Sequence, residues 1–212
     1  TVTEDSLVVT NEAMDQVKIS IEDFNKVNPD PWELGDGYNF FGDVKAALLL
    51  EGGNSDNEEL DFSYAMTWRS LKDRYSSKGW WEFDEANDLR NKNKWRSVNK
   101  YDRFREGDPD NYYGALIAVE GDEFANIEVR TYMGPYIGRT FFDSPILELE
   151  GEVGLVYVYE AYEIPIDEEG TDDYDYPGGN WGLRITSDLV SGYLGDGSTL
   201  YIDHDGIANF DD

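Results

Sequence analysis

The pattern that most restricts the fold of this chain is a period of two. In "LDFSYAMTW", Leu60, Phe62, Tyr64, Met66 and Trp68 fall on one side of an extended backbone, with smaller or polar residues between them. "ANIEVRTYM" sets Ala125, Ile127, Val129, Thr131 and Met133 against Asn126, Glu128, Arg130 and Tyr132, and "EVGLVYVYEAYEI" is a long β-branched and aromatic run. "VKISI", "YYGALIAVE", "YIGRTFF", "ILELE", "WGLRIT" and "TLYIDH" add shorter strand candidates. Turn signals such as "NPDP", "LGDG", "EGGNSDN", "EGDPDN" and "YPGGN" separate them at short intervals. No helical pattern recurs between the strands, which disfavours a parallel α/β fold. The sequence therefore predicts an all-β, antiparallel sandwich or jelly roll of about 8–10 strands, in one domain over 1–212.

One stretch breaks the pattern. "DEANDLRNKNKW" reads as a short helix with Asp84 as N-cap and Ala86 and Leu89 inward. Trp95, Val98, Tyr101 and Phe104 follow at every third residue. The expectation is a helix-plus-loop insertion over 84–105.

Charge singles out the same stretch. The 212 residues carry 46 acids and 17 Lys or Arg, for a formal net charge of -29. Eleven of the seventeen bases lie in residues 69–105, against six acids, a local net of +5. Self-repulsion of this size destabilises a compact state at low salt, and molar salt screens it, with a Debye length of about 3 Å at 1 M. The composition thus points to a hypersaline home. Aromatics at 15% argue that the chain folds despite its charge.

Several chemistries are poorly provided for. With no Cys there is no thiolate catalysis, disulfide or Cys-based metal site. The lone His204, in "YIDHDG", has no nucleophile elbow to serve, and neither a Walker loop nor a dinucleotide fingerprint is present. With 46 acids, paired carboxylates are uninformative about glycoside hydrolysis. The expectation is a protein without catalytic residues or cofactor, in which K+ and Na+ act as bulk salt. Asp108, Asp110, Asp203 and Asp205, in D-x-D elements, are weak candidates for Ca2+ or Mg2+, as is the loop containing Asp167, Glu168, Glu169, Asp172, Asp173 and Asp175. The longest apolar run is Ala46–Leu50, and "TVTEDSLVV" lacks the features of a signal peptide, so no transmembrane segment is expected.

The basic segment has three readings. Nucleic-acid binding is disfavoured, because counterion release fails in high salt and the acidic remainder repels phosphate. Internal pairing would neutralise acids of the same chain. A subunit interface would use Arg90, Lys92, Lys94, Trp95, Arg96, Lys100, Tyr101, Arg103, Phe104 and Arg105 against the carboxylates of a second copy, since Arg and aromatic residues dominate interface cores. The interface is the one expected. An alternative function takes Trp80, Trp81 and Trp181 as an exposed row for sugar stacking in a secreted carbohydrate-binding sandwich, with a carboxylate-dependent hydrolase third.

The long strands in "SPILELEGEVGLVYVYEAYEIPI" and "ANIEVRTYMGPYIGRTFF", with the acidic composition, resemble the single jelly-roll capsid proteins of haloarchaeal viruses. That resemblance implies a virion structural protein, contacting copies of itself and other virion proteins and assembled in the cytoplasm of a hypersaline host.

Overall fold

The computed structural model describes residues 2–3, 6–10, 16–20, 29–53, 56–144, 146–164, 172–188 and 198–211. They separate into two compact units, Thr1–Gly37 and Tyr38–Asp212. In the first, β1 (Val2–Thr3), β2 (Ser6–Thr10) and β3 (Gln16–Ser20) pair in order as a small antiparallel sheet. A 3-10 turn, Pro31–Leu34, follows; the Asp30 N–H donates to Glu33 Oε2 at 2.9 Å, and Gly35 closes the turn at φ 88°.

The second unit is a meander in which every strand pairs antiparallel with the next. Its strands are β4 (Asn39–Glu51), β5 (Asn57–Arg69), β6 (Asp73–Ala86), β7 (Leu89–Arg105), β8 (Asp108–Asp122), β9 (Ile127–Ser144), β10 (Leu147–Tyr162), β11 (Asp173–Ser187) and β12 (Leu200–Asn209). They run from 10 residues in β12 to 18 in β9, longer than the common strand of about 5–6.

The sheet curls strongly. Between β6 and β12 lie six strand spacings, about 29 Å in a flat sheet at about 4.8 Å each. Yet Lys78 Nζ on β6 lies 2.7 Å from Asp203 Oδ2 on β12. The two edge strands also line one cavity of about 640 Å³, with Asp43 and Lys45 from β4 and Tyr201, Asp203 and Asp205 from β12. The unit is a half-barrel whose concave side is partly filled by side chains and partly open as this cavity.

Two expectations are corrected here. The all-β, antiparallel class holds, but a jelly roll needs two facing sheets, and these nine strands form a single curled one. Residues 84–105 are not a helix-plus-loop insertion. Asn87 and Asp88, at φ 52° and 61°, make the two-residue turn with both central residues left-handed that matches the twist of a hairpin. The basic run is β7 itself, paired along its length with β6 and β8. The every-third spacing of Trp95, Val98, Tyr101 and Phe104 has no helical meaning: Val98 and Phe104 are buried, and Trp95 and Tyr101 are exposed on the other face.

The buried apolar cluster is small. Val98, Phe104, Tyr112, Leu116, Ala118, Tyr132, Tyr136, Val156 and Val158 form it, from β7 to β10, all on the concave side. Close approach makes glycine necessary at Gly134, where a Cβ would lie 1.9 Å from the Leu155 carbonyl oxygen.

Candidate functional site: an apolar outer face around a charged interior

Side chains of directly paired residues share a face, so the register assigns every strand position to one side of the sheet. Along β10 the concave face carries Glu150, Glu152, Val156, Val158 and Glu160, while Leu149, Val153, Leu155, Tyr157 and Tyr159 point outward. The outward residues are the exposed ones: Leu155 is 61% exposed and Val158 fully buried. The neighbours repeat this. Outward positions are Tyr113, Ala115, Ile117 and Val119 on β8, and Val129, Thr131, Met133, Pro135 and Ile137 on β9.

The same holds around the whole sheet. The outward stretches Phe40–Leu50 on β4, Leu60–Trp68 on β5, Tyr75–Phe83 on β6, Trp95–Tyr101 on β7 and Pro177–Ile185 on β11 contain no acid, Lys or Arg at their outward positions. On β12 the outward row is Leu200, Ile202, His204, Gly206 and Ala208. In a chain with 46 acids, a continuous outer band free of carboxylates is the clearest departure from chance.

Aromatic rings border this band. Phe40, Trp68, Tyr75 and Tyr101 form one cross-strand row, with Phe40–Trp68 ring centroids 4.8 Å apart and Trp68–Tyr75 5.5 Å. Phe62, Trp81 and Trp95 form a second. The rows lie six residues apart along β5, or about 20 Å. Polar atoms between them are paired with one another: Tyr64 Oη lies 2.8 Å from Ser97 Oγ, and the Tyr75 hydroxyl donates to Asn99 Oδ1 at 2.9 Å.

The concave side is charged and internally paired. Arg74 on β6 donates to Asp102 on β7 at 2.6 Å and to Glu150 on β10 at 2.9 Å. Glu150 also accepts from Arg184 on β11 at 2.8 Å. Lys100 pairs with Glu152, which accepts from the Tyr112 hydroxyl at 2.9 Å, and Tyr136 donates to Asp102. Arg130 bridges Glu120 at 2.8 Å and Glu160 at 2.5 Å. Four of these bonds, Arg74–Glu150, Lys100–Glu152, Tyr112–Glu152 and Tyr136–Asp102, join strands that are not neighbours, which is possible only because the sheet curls.

The predicted interface residues can now be placed. Arg90 pairs with Glu123 at 2.8 Å, and Lys92 and Lys94 with Glu82 at 3.4 and 3.1 Å. Arg96 reaches Asp205 at 2.5 Å and also donates to Tyr132; Arg103 reaches Asp73 at 3.2 Å. Their carboxylates belong to their own chain, the internal pairing. Phe104 is buried in the core, Trp95 and Tyr101 join the aromatic rows, and Arg105 is exposed at the end of β7.

Of the metal candidates, Asp203 and Asp205 are bound by Lys78 and Arg96, and Asp108 accepts from Asn111 at 2.7 Å. Asp110 is exposed on β8. Asp167, Glu168 and Glu169 lie outside the described residues. Among the described residues no cluster of three or more His, Asp or Glu is arranged to hold a metal ion. His204 accepts from the Trp181 indole N–H at 3.3 Å on the outer face. The supposed sugar-binding row is dispersed: Trp80 points inward beneath Lys94, while Trp81 and Trp181 are outward on β6 and β11.

A family model described as a protein of unknown function, DUF481, matches residues 44–211, nearly the whole half-barrel. The chain belongs to the DUF481 family. No curated protein and no solved structure matches it. The likeness to jelly-roll capsid proteins is overturned by the family match and by the single curled sheet. In DUF481 terms, residues 44–211 take in all of β5–β12 and most of β4.

The signal missed in the sequence was the charge of each parity class. In "LELEGEVGLVYVYEAY" the even-numbered positions include Glu148, Glu150, Glu152 and Glu160, and the odd-numbered ones are Leu147, Leu149, Gly151, Val153, Leu155, Tyr157, Tyr159 and Ala161. Read only as a β-branched and aromatic run, the segment gives its acid-free class no side. That class lies outside.

Proposed function

We propose that the half-barrel of this DUF481 protein is an integral membrane β-barrel wall, with its outer band in contact with lipid acyl chains and its interior filled by side chains. The observation that carries this is the distribution of charge between the faces: an outer band without acids, Lys or Arg on every strand, and the ion pairs gathered inside around a small apolar cluster. A water-soluble sheet places its apolar face inward, whereas a membrane barrel alternates apolar-out and polar-in, with aromatic girdles at both interfaces. Strands of 10–18 residues meet the requirement of about 9–11 residues for a tilted crossing.

No helix among the described residues is long and apolar enough to cross a membrane, and strands cross by a different geometry. An apolar band running round the convex side needs a surrounding cover, which lipid provides and a single docked protein does not. Within the membrane the backbone groups of the β4 and β12 edges need partners, so the proposal requires those edges to pair there. Glu150, Glu152, Arg74, Arg184 and Lys100 project into the interior and pair there, so the function is that of an anchored barrel with a charged, partly filled interior.

Tryptophan quenching tests this. In vesicles of phosphatidylcholine with brominated acyl chains, outward Trp81, Trp95 and Trp181 should be strongly quenched and inward Trp80 in a single-Trp variant weakly. Quenching by aqueous acrylamide alone, with none from brominated lipid, would refute the proposal.

A further inference from the structure

The bases of the half-barrel are not paired evenly. Lys45, Arg74, Lys78, Arg90, Lys92, Lys94, Arg96, Lys100, Arg103, Arg130 and Arg184 each contact a carboxylate of the same chain. Among the described residues, Arg69, Lys72, Arg105 and Arg139 do not. Arg69 and Lys72 flank the turn between β5 and β6, Arg105 ends β7, and Arg139 lies toward the end of β9 on the same rim. The same rim also carries Glu106, Asp108, Asp110 and Asp143, and the opposite rim holds Glu51, Asp56, Glu85, Asp88, Glu123 and Glu163 beside Arg90 and Lys92.

Two of these free cations share a groove of about 540 Å³ with apolar outward residues. Arg139 pairs in register with Asn111 on β8 and with Gly151 on β10; the Phe141 ring lies over Gly151, and the Arg139 guanidinium sits 5.9 Å from its centroid, its edge donors open to the groove. Two residues further from the rim, about 7 Å along the strands, Tyr113, Ile137 and Val153 form one cross-strand row. Ile137 is 63% exposed. Arg105 lines the same groove from β7. Glu152 also lines the groove and Asp108 holds Asn111, so the groove is not wholly cationic, but Glu152 is taken up by Lys100 and the Tyr112 hydroxyl, and neither arginine is tied to a carboxylate.

From this geometry we infer that the groove between β7, β8, β9 and β10 binds the headgroup of an anionic phospholipid, its phosphate between Arg105 and Arg139 and an acyl chain along Tyr113, Ile137 and Val153. The inference rests on the membrane-barrel proposal. Guanidinium forks match phosphate oxygens, and a polar row directly above an apolar one reproduces the order of headgroup and chain at a membrane interface. The rest of the -29 chain repels an anionic membrane surface, so free arginines at one rim have a specific electrostatic role.

The test uses the full chain inserted in vesicles of equal parts phosphatidylcholine and phosphatidylglycerol, extracted in zwitterionic detergent, with retained lipid counted by native mass spectrometry. Wild type should retain phosphatidylglycerol selectively, and R105Q/R139Q should lose that selectivity by about tenfold. The variant should insert as wild type does, judged by quenching from brominated phosphatidylcholine. Equal retention of both lipids by wild type, or unchanged selectivity in the variant, overturns the inference while the barrel stands. Absence of quenching in both proteins overturns the barrel and the inference with it. Millimolar inorganic phosphate should not displace the lipid; displacement would show a free-phosphate site and overturn the assignment to lipid.

Discussion

Arg74 Nε donates to Asp102 Oδ2 at 2.6 Å, joining β6 to β7 where both side chains are shielded by the curl of the sheet. Asp102 is 1% exposed, so its charge depends on this guanidinium and on the Tyr136 hydroxyl. Removing the arginine leaves buried Asp102 with the Tyr136 hydroxyl alone and Glu150 with Arg184 alone. Arg74→Met should destabilise the folded protein by about 3–5 kcal/mol in guanidinium denaturation. Arg103→Gln, at a half-exposed guanidinium whose partner Asp73 keeps its bonds from Ser70 and Tyr101, should cost less, about 1 kcal/mol. Equal effects would show that the interior pairs carry no special weight.

Leu155 sits near the centre of the outward row on β10, flanked in register by Gly179 and the Pro135 position. In bilayers, Leu155→Arg should cost about 2–4 kcal/mol of insertion stability, and a charge near the ends of the strands about 0–1. In water, a charge at this exposed site should leave the solubility of the chain unchanged or raised. A destabilisation independent of depth along β10 would contradict a lipid-facing role.

At Gly134 an added methyl meets a backbone carbonyl, which has no rotamer by which to move. Gly134→Ala should therefore separate β9 from β10 locally, with a loss of about 1–3 kcal/mol or more. Amide hydrogen exchange of Leu155, Val156 and Tyr157 should accelerate in this variant, and unchanged protection would show that the strands had relaxed around it.

Glu123, in the 3-10 turn Glu123–Ala125 between β8 and β9, accepts from Arg90 Nη1 at 2.8 Å and from Asn93 at 3.0 Å. These bonds hold its carboxyl below the ordinary glutamate range. A depressed folded value contributes stability above the unfolded value, and the contribution is lost as pH falls through the folded one. The turn should accordingly loosen only in acid. Arg90→Gln should move the Glu123 midpoint, followed by carbon chemical shift, upward, and an unmoved midpoint would count against the pair.

What the sequence by itself determined was the strand. Alternation in "LDFSYAMTW" and "ANIEVRTYM" required extended structure, "EGGNSDN" and "EGDPDN" marked the β4–β5 and β7–β8 hairpins while "YPGGN" fell inside β11, and the concentration of bases in 69–105 was visible without coordinates. The helix expected over 84–105 failed because Asn87-Asp88 was taken into it when its left-handed backbone makes a hairpin turn. What only the tertiary structure decided was which face is inside. A period of two defines two faces but not their direction, since parity is the same whether the convex side meets water, protein or lipid. The partners of β7 were equally hidden, because Glu152 and Asp205 stand 52 and 109 positions from Lys100 and Arg96. Only a sheet that curls through six strand spacings brings those charges together and leaves the apolar side outward.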